Sequence, residues 1–369
     1  MNPLSSRTTS VLPPTPGRLV HDADGLNTAR WPLPANELVT PVDQFFTRSH
    51  GPVPEIDPDT WRLEVGGLVG RSRRFSLREL RRDLPERHVT ATIVCAGLRR
   101  NEFLSLGPLP GELPWGPEPA STGRWTGVVL ADLLNLVGVG KTARHVEFVG
   151  LDRIERLGQQ FGFGGSIDLA KALEGEVLLA TELNGVPLPA VHGFPLRVVV
   201  PGWIGARSVK WLGRVTLRED PSPNYFQSKA YRFQREIDPE DPRDVSAGVA
   251  LSEIALNSVI LHPTEGEVVS AGKVRLDGWA IGAGGRPVIT VEVSSDAAAE
   301  WTPARITAGS GERTWSHWEA TLDLPRGRRT LVVRARDNTG VPQPVNVDAT
   351  WNVKGYSNNA WHRVTIDLV

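Results

Sequence analysis

At 369 residues the chain is too long for one comfortable core, and two domains are expected. A hydrophobic content of 40%, a charged content of 22% and a formal net charge of −1 describe an ordinary globular protein. They exclude a general nucleic-acid binder and a polybasic membrane anchor. A single cysteine excludes an intramolecular disulfide, a multi-cysteine zinc site, a cysteine-held iron–sulfur cluster and a C-x-x-C-H haem attachment.

No run of about 18 uninterrupted apolar residues occurs, so no membrane-spanning helix is predicted. The opening MNPLSSRTTSVLPPTPGRL has no apolar h-region. With Met1 in place a cytoplasmic protein is expected, or a periplasmic one if a signal has been removed. Residues 1–43 hold Pro3, Pro13, Pro14, Pro16, Pro32, Pro34 and Pro41, and read as an extended arm lying over a domain.

From 44 to 235 the pattern is that of a mixed α+β domain. Residues 61–69 predict a strand. Residues 76–84 predict a short helix: Ser76 and Glu79 form an S-x-x-E capping box, and Leu77, Leu80 and Leu84 share a face. Residues 88–96 alternate, with Val89, Ala91, Ile93 and Cys95 on one side and Thr90, Thr92 and Val94 on the other, which predicts a strand ending at Gly97. Residues 127–137 read as an apolar-striped helix closed by Gly138. Apolar runs at 177–181, 196–200 and 208–217 predict buried strands. Residues 221–247 have the polar, proline-bearing composition of a linker. From 248 to 369, strand-like runs at 273–280, 287–294 and 330–336 alternate with the turn signals GAGG, LPRG and DNTG. That is the pattern of an all-β antiparallel sandwich.

The common catalytic signatures are missing: no G-x-S-x-G elbow, no H-E-x-x-H, no Walker loop. Gly162, Gly164 and Gly165 lack the strand–turn–helix setting of a dinucleotide fingerprint. Three segments stand out instead: FFTRSHGPVP at 45–54, TIVCAGLRR at 92–100, and HGFPLRVVVPGWIGARSVKW at 192–211. Each sets cations beside Gly or Pro at a strand end, where binding sites concentrate. Cys95 precedes Arg99 and Arg100, whose guanidinium groups favour a thiolate, a soft metal ligand. Taken alone, the cysteine reads first as a small buried hydrophobe that ends a strand, then as a ligand, and third as a redox sensor. Arg48, His50, Arg100, His192, Arg197, Arg207 and Lys210, if they converge, make an anion site. Lys210 between Val209 and Trp211, and Arg197 just before VVVP, are charges set in apolar runs and require partners.

In order along the chain, the three segments resemble the molybdopterin domain of the sulfite oxidase family over residues 40–235. That family includes sulfite oxidases and dehydrogenases and the eukaryotic assimilatory nitrate reductases. NSVILHP from Asn257, DGWA from Asp277 and WNVKGYSNNAWHRV from Trp351 resemble its immunoglobulin-like dimerisation domain. The resemblance implies a mixed α/β molybdopterin-binding domain of the sulfite oxidase fold, followed by an immunoglobulin-like sandwich. It implies a molybdenum–molybdopterin cofactor, with Cys95 as the protein ligand to the metal. Cofactor contacts would be Phe46, Thr47, Arg48, Ser49, His50, Asp152, His192, Arg197, Ser208, Val209 and Lys210. Substrate would meet Arg48, Arg100, Trp115, Tyr231 and Lys354, and catalysis would rest on Cys95, Arg48, Tyr231 and Arg100.

Two departures stand in these motifs. Leu98 replaces the asparagine of the family's C-A-G-N-R-R. Lys354 replaces the arginine of W-N-x-R-G, which keeps the charge and loses the bidentate fork. No haem-b segment with axial histidines is found, so electrons are expected to pass to an external acceptor, cytochrome c or another. The implied activity is oxidation of sulfite to sulfate by oxygen-atom transfer in a homodimer, without nucleic acid or membrane span. Alternatives are reduction of nitrate or another small oxyanion or sulfoxide on the same cofactor and, more remotely, a non-enzymatic β-sandwich binding module.

Overall fold

Alternating apolar residues in the first half pair into two sheets. The computed structural model describes residues 19–21, 27–30, 37–236, 246–295, 300–309 and 311–369. One sheet runs Gly164–Asp168, His145–Gly150, Leu212–Arg218, Leu63–Gly67, Arg73–Phe75, with a parallel pairing between Leu212–Arg218 and Leu63–Gly67. The other runs Val186–Pro187, Leu178–Leu183, Ala120–Val129, Glu86–Val94, and Arg197–Val199 also pairs with Leu178–Leu183. A core of Leu63, Phe75, Leu133, Phe148, Leu179 and Val215 joins the two sheets. The second half is a sandwich. One sheet holds Asn257–His262, Gly272–Ile281, Ser316–Leu324 and Arg305–Ala308; the other holds Val268–Val269, His362–Leu368, Gly327–Asp337, Val288–Ser295 and Thr302–Pro303. Leu276, Val291, Trp318, Leu331 and Ile366 fill it. The fold is therefore a mixed α+β domain followed by an all-β immunoglobulin-like sandwich. No helix among the described residues is long and apolar enough to cross a membrane.

The capping box forms as read. Ser76 Oγ accepts from the Glu79 amide at 3.2 Å, Glu79 Oε2 accepts from the Ser76 amide at 2.8 Å, and Leu77–Asp83 is helical. The helix expected over 127–137 begins only at Leu130, and residues 127–129 end the strand Ala120–Val129. Gly127 is needed for that pairing, because a Cβ there would lie 2.1 Å from the Leu179 carbonyl oxygen. The strand expected over 88–96 ends at Val94, and Cys95 opens a turn. The run 208–217 becomes strand only from Leu212, since Trp211 takes φ 50° and breaks the extended backbone. Within 221–247, Tyr225–Ser228 is helical and Arg232–Phe233 pairs with Val249–Ala250; residues 237–245 lie outside the described residues.

Much of the N-terminal arm also lies outside the described residues. Leu19–His21 pairs with Thr28–Arg30, and the Thr28 backbone bridges to Thr47. A third cluster (Val94, Leu98, Ile204, Tyr231, Leu261, Trp279, Trp315, Tyr356) draws on both halves, so they share a core at their junction.

Candidate active site

Strand alternation delivers the first element of the site. Ala91, Ile93 and Cys95 fall in one cluster with Phe45, Phe46, Trp115 and Trp125. Cys95 is buried, and the Gly97 amide donates to its Sγ at 3.4 Å. It opens on a cleft holding about 710 Å³ of space outside protein atoms, its mouth included. Phe46, Thr47, Arg48, Ser49, His50, Cys95, Asp152, His192, Arg197, Ser208, Val209, Lys210 and Tyr231 all line it. Every expected cofactor residue thus reaches one cavity.

The segment Phe45–His50 is pinned by its backbone: the Phe46 amide donates to Ser121 Oγ at 3.1 Å. Arg48 Nη1 donates to Asn27 Oδ1 at 2.8 Å and to the Ser49 carbonyl at 2.5 Å, and Nη2 lies 3.4 Å from His50 Nδ1. Asn27 Oδ1 also accepts from the Ser49 amide at 3.0 Å. His50 Nε2 meets the Tyr231 hydroxyl at 2.8 Å. The His50 ring packs against Phe226 and Phe163, with centroids at 4.4 and 5.5 Å. Burial, reinforced by Arg48, drives the His50 pKa well below the ordinary histidine value, so the ring is neutral. Burial likewise pushes the Tyr231 hydroxyl up to about 12. Tyr231 is a non-glycine residue at φ 52°, an unusual conformation at a cleft wall.

The opposite wall is more strongly cationic. Arg197 donates to the carbonyls of His192 and Ser208, both at 3.0 Å, and its guanidinium sits 4.9 Å from the Trp125 ring. Lys210 Nζ donates to Ser49 Oγ at 2.7 Å and to the Val191 carbonyl at 3.0 Å. Gly193 lets these cations close together: at φ 108°, a Cβ would meet the Cβ atoms of Lys210 and Arg197 at 3.0 and 3.1 Å. Burial holds Arg197 down at about 9 and Lys210 at about 7, the latter assisted by Arg197. His192 is lowered to about 3 by burial and then by Arg197. Asp152 Oδ1 accepts from the Phe163 amide at 2.8 Å, yet burial raises its carboxyl above the ordinary range.

Not all the sequence-expected residues converge. Arg207 is buried, but its guanidinium turns away to the carbonyls of Phe226 and Leu251. Arg100, Trp115 and Lys354 do not line the cleft. Arg100 lies behind the wall, donating to the carbonyls of Lys354, Gly355 and Leu113. Trp115 packs in the cluster that contains Cys95, and its buried Nε1 has no hydrogen-bond partner among the described residues. Sequence reading also missed contributors. Asn27 is one of several polar residues on the arm, among Asp22, Asp24, Thr28 and Arg30, with no periodicity to single it out. Phe163, which stands in a glycine cluster dismissed as a weak motif, and Trp211, named only as an apolar neighbour of Lys210, both face the cavity.

Two family models match the chain: an oxidoreductase molybdopterin-binding domain over residues 50–226 and a Mo-co oxidoreductase dimerisation domain over 249–369. The chain is 41% identical to the mitochondrial sulfite oxidase of Homo sapiens, across 90% of this chain and 62% of that protein. It thus spans less than two thirds of the human relative's length. It is 35% identical to the sulfite oxidase of Arabidopsis thaliana, across 90% of this chain and 89% of that one. Its structure resembles the sulfane dehydrogenase SoxCD from Paracoccus pantotrophus, with a TM-score of 0.75 and 25% identity over 90% of this chain and 84% of that chain. A cleft with one buried thiol among cations, a sandwich behind it and near end-to-end similarity to the plant enzyme agree, and the chain belongs to the sulfite oxidase family.

Proposed function

We propose that this chain oxidises sulfite to sulfate by oxygen-atom transfer on a molybdenum–molybdopterin cofactor, and passes the electrons to an acceptor outside the chain. One observation carries the reading: a single buried thiol shares one cleft with Arg48 and with the cations of Arg197 and Lys210. The residues fit the group. Arg197 and Lys210 hydrogen-bond to carbonyls and a hydroxyl, and both are driven down by burial. A phosphate beside them removes that penalty and accepts their protons as charge-assisted bonds. His192 and the 208–210 segment would complete this phosphate end, and Phe46, Thr47, Ser49 and Asp152, which line the same cleft, would contact the pterin. Among the described residues no three His, Cys, Asp or Glu side chains group as metal ligands, which suits a metal held by one protein thiolate and by sulfur from its cofactor.

When bound, the cofactor supplies a transferable oxygen and a sink for two electrons. The protein supplies position and electrostatics. Cys95 would hold the metal through its sulfur. Arg48, held by Asn27 and the Ser49 carbonyl, presents its guanidinium to the oxyanion. Tyr231, with its pKa near 12, keeps its proton at neutral pH and donates it as a hydrogen bond without releasing it. Arg100 and Lys354 add positive field from behind the wall. Sulfite and water yield sulfate, two protons and two electrons. The second half matches a dimerisation domain, and we propose a two-fold homodimer through it.

The test is to produce the full chain in a host that makes the cofactor, measure molybdenum and pterin, and assay sulfite with ferricyanide against nitrate with a reduced dye. Sulfite turnover is expected from the wild type. Cys95→Ala should abolish it while circular dichroism and cooperative unfolding persist. Full activity in that variant, or nitrate turned over in preference to sulfite, refutes the reading.

A further inference from the structure

Arg100 and Lys354 do not meet in the cleft; their charges meet on a third side chain. Glu112 Oε2 lies 3.3 Å from Arg100 Nη2, and Oε1 lies 3.2 Å from Lys354 Nζ. The Glu112 side chain is 14% exposed, between 4% for Arg100 and 30% for Lys354. Glu112 belongs to the loop joining the 3-10 turn Arg100–Ser105 to the strand Ala120–Val129, and its amide donates to the Leu109 carbonyl at 3.2 Å. Lys354 belongs to the second half of the chain. The carboxylate therefore ties the two halves together at the back of the candidate site.

Arg100 does not depend on Glu112 for its position. Its Nε donates to the carbonyls of Lys354 and Gly355 at 3.0 and 3.2 Å, and its Nη1 to the Leu113 carbonyl at 3.0 Å. Its guanidinium also sits 5.1 Å from the Tyr356 ring. Loss of the Glu112 charge thus leaves the arginine where it is. The cluster is coupled to the cleft through stacked rings: Tyr356 lies on Tyr231 with centroids at 5.3 Å and planes 19° apart, and Tyr231 bonds His50 beside Arg48. Burial raises the Tyr231 hydroxyl most, Arg48 opposes it and Glu112 adds to it, so the field of Glu112 reaches the cleft wall.

We propose that Glu112 is a specificity-determining residue. Its carboxylate offsets part of the positive field that Arg100 and Lys354 add from behind the wall, and so sets how strongly the cleft holds a divalent oxyanion. The inference rests on the oxyanion reading above. With Glu112 ionised, the three side chains carry one net positive charge; without it they carry two. With the carboxylate in place sulfate, the divalent product, is held less tightly and leaves more readily. Coulomb energy is proportional to ligand charge, so the field of Glu112 acts twice as strongly on a dianion as on a monoanion at the same place. A residue that only packed the loop would weaken both ligands alike when substituted.

The experiment uses the full chain, loaded with cofactor and oxidised, with sulfate and nitrate as calorimetric probes. Glu112→Gln is expected to tighten nitrate by roughly threefold and sulfate by roughly tenfold, the logarithm doubling with charge. Lys354→Gln moves the net charge the other way and should weaken sulfate by a comparable factor. Unchanged or weaker sulfate binding in Glu112→Gln, or equal factors for the two anions, overturns the proposal. Should Glu112→Gln not fold, Lys354→Gln decides: sulfate affinity at or above wild type overturns it. Sulfite turnover by the wild type is measured in parallel. Turnover without any change in sulfate affinity removes the role of Glu112 and leaves the sulfite reading; the anion ordering without turnover does the reverse.

Discussion

Lys210→Met separates what the fold tolerates from what the cofactor needs. Lys210 is partly buried in the cleft wall, and its pKa falls from 10.5 to about 7, chiefly through desolvation and then through Arg197. A depression of that size corresponds to on the order of 5 kcal/mol set against the ammonium in the cofactor-free protein. Methionine has similar bulk and no charge. It forfeits the bonds to Ser49 Oγ and the Val191 carbonyl, at about 1 kcal/mol each. The cofactor-free variant should therefore be more stable than wild type by about 3 kcal/mol at pH 6. The sign follows from proton counts. Between pH 7 and 10.5 the unfolded wild type binds the proton that the folded protein has released, so wild-type stability climbs with pH through that window, and the variant lacks the climb. Cofactor loading moves the other way: loss of a charge-assisted bond to phosphate costs about 1.5–3 kcal/mol, roughly 10- to 150-fold in affinity. Denaturant unfolding of cofactor-free protein from pH 6 to 9, with molybdenum content of protein purified in parallel, provides both readings. A variant that is less stable at every pH and keeps wild-type molybdenum would refute the reasoning.

Asn27→Ala removes the acceptor that holds both Arg48 Nη1 and the Ser49 amide. The expected result is a rise in the KM for sulfite of about tenfold, near 1.4 kcal/mol, with a much smaller change in kcat, and an unchanged KM would remove Asn27 from the positioning of Arg48. Glu118 is buried, its Oε2 has no hydrogen-bond partner among the described residues, and burial raises its pKa from 4.5 to about 7. Between those values the folded state binds the extra proton, so stability is lost as pH rises through the window. Glu118→Gln should abolish the loss and gain about 3 kcal/mol above pH 7, with little difference near pH 4.5; parallel stability curves for the two proteins would count against it.

What was legible in the sequence follows from periodicity. Ala91, Ile93 and Cys95 share a face because a strand repeats every two residues, and they share a cluster in the structure. Lys210 and Arg197 were suspect because charges in apolar runs need partners, and both line the cleft with hydrogen-bond partners of their own. Arg207 has the same sequence setting and is equally buried, yet it serves the Phe226 and Leu251 carbonyls. Composition alone does not separate a cation that waits for a ligand from one already satisfied by backbone. The strand expected over 208–217 fails where Trp211 turns into the left-handed region, a local cost that surrounding contacts impose. Asn27 and Glu112 were invisible for a different reason: each acts through partners outside its own segment, Asn27 on Arg48 and Ser49 and Glu112 on Arg100 and Lys354, and neither sits in a periodic run.

Arg99 and Arg100 show why the second half belongs to the argument about the site. They are adjacent and chemically identical, but Arg99 takes φ 57°, so the two side chains leave the turn in different directions. Arg99 is wholly buried, pairs with Glu102 through Nε at 2.6 Å and Nη2 at 2.8 Å, and donates to Asn257 Oδ1 and the Ala360 carbonyl, both at 2.8 Å. Burial alone would raise the Glu102 carboxyl; the charge and hydrogen bond of Arg99 hold it below the ordinary range instead. Arg100 reaches the same half by another route, through the Lys354 and Gly355 carbonyls. The turn that follows Cys95 is thus fastened to the sandwich at two points, by bonds that require partners from both halves. A charge pair of that kind adds little net stability once its desolvation is counted, but breaking it on one side leaves a buried charge exposed to nothing. The pair therefore contributes placement: the sandwich fixes the turn, and the turn fixes the thiol in the wall of the cleft.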